Sequence, residues 1–300
     1  MKIVILHQDL EWAEKEIQHQ LLVNGIKAKL FDVQTTNESQ ILNYVNGSNF
    51  KVINRVYASV ANRNYRDNLK VLDLLFKFEK KGIFCINSFK TSLFDYNKFE
   101  SYKQLKDLNI FTPETVLLER WDKKTEKIVN SFVEKYGFPI ILKRNMGGRG
   151  KGMKLLKNYD ELLEAVKFIF SEKQKQDYGY GFVLQEFIRS NKNHDVRIGI
   201  LNGEVVSVMA RTLISIDSEV PWLASVSLGS VALNSYESSQ EEIELAKKAT
   251  LAIGATFNIV DLMLTDNGPC LIENNPTPQY VESNIAKQRI NALIDLVIAS

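Results

Sequence analysis

Residues 258–275 carry the pattern of a chain that folds back on itself. Two apolar runs, Asn258 to Leu264 and Pro269 to Ile272, flank the turn Thr265-Asp266-Asn267-Gly268, and this arrangement predicts a β-hairpin. Such a hairpin places Asp261 on one strand and brings Glu273 and Asn275 back along its neighbour, so that a D-x11-E-x-N set of oxygen donors converges. Hard divalent cations prefer oxygen ligands and are commonly completed by substrate phosphates. The set therefore suggests a magnesium–nucleotide site. The same residues also suit the solvated end of a surface hairpin.

The first hundred residues alternate strand-like and helix-like patterns, which predicts a parallel α/β unit. Ile3 to Leu6 reads as a buried strand, Glu11 to Leu22 as a helix stopping at Asn24-Gly25, and Lys27 to Phe31 as a second strand. Val52-Ile53 and Ile83 to Ile86 are further strands around a helix from about Tyr65 to Lys80. A helix from about Lys98 to Leu108 leads through Thr112-Pro113 into a strand at Thr115 to Leu118. Three units are expected: an N-terminal α/β unit over 1–96, a small lobe over 97–181 with a glycine-rich loop, and a C-terminal lobe over 182–300 that begins at the strand Phe182 to Ile188 and contains the hairpin.

Composition narrows the class. With 45% hydrophobic and 25% charged residues the chain reads as a soluble globular protein. No apolar run is long enough to span a bilayer, and Met1-Lys2 runs directly into a strand instead of a signal peptide, so a cytoplasmic location is expected. Two cysteines, Cys85 and Cys270, are too few for a disulfide framework and lack metal-ligand spacing. The net charge of +2 comes from 38 basic and 36 acidic residues with no basic tract interleaved with aromatics, which argues against a nucleic-acid partner.

Between two strands lies Lys143-Arg144-Asn145-Met146-Gly147-Gly148-Arg149-Gly150-Lys151-Gly152. Glycines let backbone amides approach phosphate oxygens, and Lys143 at the strand end adds a point charge. The loop lacks the G-K-[ST] tail of a Walker A motif and does not open a βαβ dinucleotide unit. A flexible hairpin tip is the alternative. Val183 to Ile188 is an apolar strand whose end could offer backbone groups to an adenine edge, or could be ordinary core. Asp195 and Arg197 alternate on the next strand and so share a face. Arg211, after the apolar run Val205 to Ala210, marks a solvated strand end or a bidentate clamp for an anion.

In this order, with Asp95-Tyr96-Asn97-Lys98 and Ile110 to Thr115 ahead of them, these motifs make the chain resemble the ATP-grasp superfamily, and within it the RimK-like carboxylate–amine ligases. The resemblance covers essentially the whole chain. It implies an α/β architecture, the ATP-grasp fold with an N-terminal parallel α/β pre-ATP-grasp domain. It implies that Lys98 and Lys143 bind ATP phosphates under a lid formed by Gly147, Gly148, Gly150 and Gly152. Gln185, Glu186, Phe187 and Ile188 would hold adenine, and Asp195 would contact the nucleotide. Asp261, Glu273 and Asn275 would bind magnesium, with two ions expected, Glu273 bridging them and manganese able to substitute. Arg211 would steady an acyl phosphate, supported by Arg197. The implied partners are a small-molecule carboxylate and an amine, with a peptide or protein as a further possible acceptor, no membrane, and a homo-oligomeric assembly.

Relatives tend to carry an aromatic and then Arg-x-Asn after the Arg211 strand, where this chain has Trp222-Leu223-Ala224-Ser225. Leu223 and Ser225 thus replace polar contacts, and Arg149 or Lys151 on the lid could supply the missing charge. Asn275 to Tyr280 is a second variable place, and the two together should set acceptor choice. Arg55, after the strand Val52-Ile53, could receive an acidic substrate. The alternatives to a ligase adding glutamate or another amino acid to an amine-bearing small molecule, peptide or protein are a nucleotide-binding protein without ligase activity and a carboxylase or purine-type enzyme of the same superfamily.

Overall fold

A computed structural model of the chain describes residues 1–47, 49–58, 65–148, 150, 152–171, 181–216, 218, 220–233 and 235–299. Arg149 and Lys151, proposed as substitute cations, lie outside the described residues.

In chain order the elements are β1 (Lys2–His7), α1 (Trp12–Val23), β2 (Ala28–Asp32), α2 (Glu38–Tyr44), β3 (Phe50–Asn54), α3 (Tyr65–Lys80), β4 (Phe84–Ile86) and α4 (Phe89–Asp95). They are followed by α5 (Lys98–Asp107), β5 (Thr115–Leu118), α6 (Lys123–Tyr136), β6 (Ile140–Arg144), β7 (Lys154–Leu156), α7 (Tyr159–Ile169) and β8 (Phe182–Glu186). The last third holds β9 (His194–Leu201), β10 (Glu204–Thr212), β11 (Ala232–Leu233), α8 (Gln240–Ala252), β12 (Phe257–Thr265), β13 (Gly268–Asn275) and α9 (Asn284–Ala299).

The first sheet is parallel, in the order β2-β1-β3-β4. Its central strand buries Ile3, Val4, Ile5 and Leu6 on both faces, as expected when helices cover each side. Val4 and Leu6 pack towards α3, while Ile3 and Ile5 pack towards α1 and α9. The α1 helix starts at a capping box, Glu11 with Glu14, which satisfies amide groups that would otherwise be orphaned.

The second sheet is antiparallel, in the order β5-β8-β6-β7. One face buries Ile140, Leu142 and Leu184 beneath α6 and α7. The other turns Ile141 inward against Trp222 and Leu223. The third sheet, β11-β10-β9-β12-β13, is also antiparallel, and α8 covers its Val196, Ile198 and Ile200 face. Its opposite face carries charge near one end of β9 and apolar residues under α9 near the other.

The expected cut between residues 181 and 182 runs through a sheet, because β8 is hydrogen-bonded between β5 and β6 and so belongs with the middle strands. Nor does α5 stay with the small lobe: Tyr102 and Leu105 pack with Val196 and Ile198. An apolar run specifies a strand but not its partner, and the partner is chosen by long-range packing. The N-terminal sheet is tied to the third by Asn87. Its amide nitrogen donates to the carbonyls of Phe257 and Pro276, each at 2.8 Å, and its oxygen accepts from the amides of Thr256 and Phe257. That single buried side chain positions the start of the 276–280 loop.

Candidate active site

The expected hairpin forms as β12 and β13, with Asp261 directly opposite Glu273 and Ile259 opposite Asn275. The register is regular from Ile259 to Asp261, so Asp261, Glu273 and Asn275 share one side of the sheet; a bulge follows between Asp261 and Leu262. Arg197 lies opposite Asp261 on β9 and grips it through two bonds of 2.7 Å. The Asn275 amide donates to Asp261 Oδ2 at 3.3 Å. Burial would raise the Asp261 carboxyl, but the guanidinium groups of Arg197 and then Arg211 outweigh it and hold the group at about 2.

Glu273 is paired with Lys98, the first residue of α5, at 2.9 Å. Lys98 also donates to the carbonyl of Gly147 at 2.5 Å, so the glycine-rich loop, the entry helix and the hairpin meet at one ammonium group. Asn145 fixes this junction: its oxygen accepts from the amide of Phe99 at 2.8 Å, and its nitrogen donates to Asn97 at 3.0 Å. Asn97 in turn caps α5. Lys143 comes in from β6, buried, and donates to the Tyr102 hydroxyl at 2.7 Å. Burial brings its ammonium down to about 8, against the pull of Glu273 and Asp261. Neither Tyr102 nor Asn145 stood out in the sequence, although Tyr102 follows Lys98 at i+4 on the same helix face.

Arg211 forms a two-armed pair with Asp195 and reaches Asp261 at 3.3 Å. Asp195 is therefore not a free nucleotide contact. Both of its oxygens are turned to the guanidinium, because a carboxylate buried this deeply needs a cationic partner. Arg55 is corrected as well. It is 3% exposed, bonds Glu14 at 3.0 Å and the carbonyl of Pro278 at 2.9 Å, and stacks against Tyr57 and Tyr280. It joins the N-terminal unit to the 276–280 loop instead of waiting for an acidic substrate.

At the other end of the cleft, Gln185 is buried and donates to Thr115 Oγ1 at 2.9 Å, while the Glu186 amide donates to the carbonyl of Glu114. Phe187 joins the apolar layer of Ile141, Met153, Leu155, Trp222 and Leu223. A cavity of about 250 Å³ opens there, lined by Phe187, Leu213, Val220, Pro221 and the polar run 189–193. Leu223 has a packing reason to be apolar. It seats the inner face of the middle sheet, and a Cβ on Gly150 would come 3.4 Å from its Cδ2 and 3.1 Å from Leu228 Cδ1.

Among the described residues no group of three or more His, Cys, Asp or Glu is gathered that could hold a metal ion. The donors present are two carboxylates and an amide oxygen, all hard ligands, and this fits magnesium, which binds through one or two carboxylates with substrate phosphates completing the shell.

A parallel α/β unit followed by two antiparallel sheets, with lysines, carboxylates and arginines converging between them, is the architecture of the ATP-grasp ligases. The fold matches D-alanine–D-alanine ligase from Bacillus anthracis with a TM-score of 0.71 at 16% identity, covering 100% of this chain and 96% of that one. It matches a RimK domain ATP-grasp protein from Sphaerobacter thermophilus with a TM-score of 0.69 at 15% identity, covering 98% of each. Residues 95–299 match the RimK-like ATP-grasp domain. A similar curated relative is the coenzyme gamma-F420-2:alpha-L-glutamate ligase of Methanocaldococcus jannaschii, 30% identical over 222 residues, which are 72% of this chain and 70% of that protein. The chain belongs to the RimK-like ATP-grasp family, and with it to the ATP-dependent ligases that join a carboxylate to an amine.

Proposed function

We propose that the protein binds Mg-ATP between its two antiparallel sheets and uses it to join an amino acid, glutamate first among the candidates, to an acceptor through an amide bond. One observation carries this reading: Lys98, Lys143, Asp261, Glu273 and Asn275, drawn from four separate elements, form one linked charge cluster beside the glycine-rich loop. The glutamate ligase relative supports the choice of amino acid.

Lys98 and Lys143 hold the phosphates, with Gly147, Gly148, Gly150 and Gly152 covering them. Gln185 to Ile188 line the adenine end, where the apolar layer around Phe187 grips the ring. Asp261, Glu273 and Asn275 would supply the oxygen donors for magnesium, two ions in this reading, and the metal would neutralise phosphate charge and align the transferred group. The acceptor carboxylate attacks the γ-phosphorus and ADP leaves. An amine then attacks the acyl phosphate carbon and expels phosphate. Side chains form no covalent bond in this scheme; Arg211 faces the developing charge, and Asp195 keeps its guanidinium in place.

We read the chain as three lobes, with β8 in the middle one. We place the protein in the cytoplasm, consistent with two buried, unpaired cysteines, and expect a homo-oligomer, which sedimentation velocity checks. Among the described residues, no helix is long and apolar enough to cross a membrane. The decisive experiment is an ADP-release screen with Mg-ATP against pairs of amino acids and carboxylate acceptors, peptides included, with product masses read from active wells. Nucleotide binding without substrate-stimulated ADP release in any well would sink the ligase reading.

A further inference from the structure

Three arginines of the described structure are almost fully buried, and they are not alike. Arg55 has Glu14, and Arg211 has Asp195 and Asp261. Arg289, on α9, is equally buried at 5% exposure but forms no ion pair among the described residues. Its Nε donates to Ser207 Oγ at 2.6 Å, and one terminal nitrogen lies 4.0 Å from Met209 Sδ. Buried cations are normally paired. Lys98, Arg197 and Arg211 each face a carboxylate and Lys143 donates to the Tyr102 hydroxyl; Arg289 is held by a hydroxyl and a sulfur.

The surroundings are shaped to keep it there. Gly199 lies opposite Ser207, and a Cβ at that position would come 2.4 Å from Ser207 Oγ and 3.4 Å from Arg289 Nε. A second group is also left over. Tyr280 is 4% exposed, its hydroxyl has no hydrogen-bond partner among the described residues, and it lies in the field of Arg55, Arg289 and Arg197. A guanidinium without an anion and a phenol without an acceptor thus share the seam where α9, the 276–280 loop and β9–β10 meet.

We propose that Arg289, with the Tyr280 hydroxyl, receives the carboxylate of an α-amino acid that enters the reaction through its amino group. This rests on the ligase reading above and deepens it, because it names the residues that hold the free carboxylate of the incoming amino acid. Arg289 interacts electrostatically with Arg197, Asp261 and Arg211. A carboxylate held there therefore lies close to the row where the acyl phosphate is proposed to form.

The test compares the protein amino acids with their α-amides as ligands of the full chain carrying Mg-ADP, by calorimetric titration, for wild type, Arg289→Met and Tyr280→Phe. At least one amino acid should bind wild type tenfold or more tightly than its amide. That preference should fall to within twofold in Arg289→Met and weaken in Tyr280→Phe. The melting temperature of Arg289→Met should equal or exceed that of wild type, because an unmatched buried cation is replaced by an apolar chain. A wild type that treats every acid and amide alike, or a preference that survives in Arg289→Met, would overturn the proposal. Mg-ATP affinity of the wild type is measured in parallel. Its absence would defeat the ligase reading itself, whichever way the amide comparison falls.

Discussion

Asp261 and Glu273 are direct cross-strand partners in the β12–β13 hairpin, yet they are held by different cations, Arg197 on one side and Lys98 on the other. Two like charges placed opposite one another repel. The fold offsets that repulsion with two cations from separate elements, at the corner proposed above for a divalent ion and phosphates.

Glu273→Gln should lower Mg-dependent ADP release by at least about 100-fold, since even outer-shell changes at metal sites cost 10–100-fold. The melting temperature should hold or rise, because one member of the repelling pair becomes neutral. A magnesium titration of ADP release checks it. Full activity in the variant would remove Glu273 from the metal site.

Lys143 gives a pH dependence with two opposite signs. Its ammonium is lowered from 10.5 to about 8, chiefly by burial. Between those values the folded state binds fewer protons than the unfolded state. The group's contribution to stability therefore rises with pH across that window, by about 3 kcal/mol at most. Nucleotide affinity should do the reverse, falling above pH 8 as the charge on the phosphates' partner is lost. Lys143→Met should bind nucleotide weakly and without that slope, as titrations from pH 7 to 10 would record.

Arg211→Met should destabilise by about 3–5 kcal/mol, because it leaves buried Asp195 without a cation and takes a second one from Asp261. Asp195→Asn should cost less, since Arg211 keeps Asp261. Urea unfolding of both variants tests the order, and equal losses would contradict the shared-partner account.

Glu14→Gln should cost about 3–5 kcal/mol, as it strips the carboxylate from buried Arg55. Tyr57→Phe, which loses one hydrogen bond to Glu14, should cost about 1 kcal/mol. Because Arg55 also holds Pro278, Glu14→Gln should raise KM for substrate more than for ATP. A purely thermal effect with unchanged KM would separate the 276–280 loop from substrate binding.

Much of the site was legible because its signals are local. The hairpin turn, the Lys143 strand end followed by glycines, and the alternation of Asp195 with Arg197 are each contained within a dozen or so residues. Tyr102, Asn145 and Arg289 were not legible in that way. Tyr102 and Arg289 sit on ordinary helix faces, and Asn145 lies inside the glycine-rich segment, where only the lysine and glycines carried a signal. Leu223 looked like a lost polar contact and turned out to have a packing partner in Ile141.

Period-two and period-3.6 patterning, turn residues and caps determined nearly all the main elements, together with the order of motifs that places the chain among ATP-grasp ligases, because those signals act between near neighbours. Tertiary structure alone decided that β8 belongs to the middle sheet, that Arg55 is committed to Glu14, and that Arg289 lies beside Gly199 with no carboxylate among the described residues. Strand partners and buried ion pairs are settled by contacts between residues far apart in the chain, and a linear pattern does not encode which cation a given carboxylate will find.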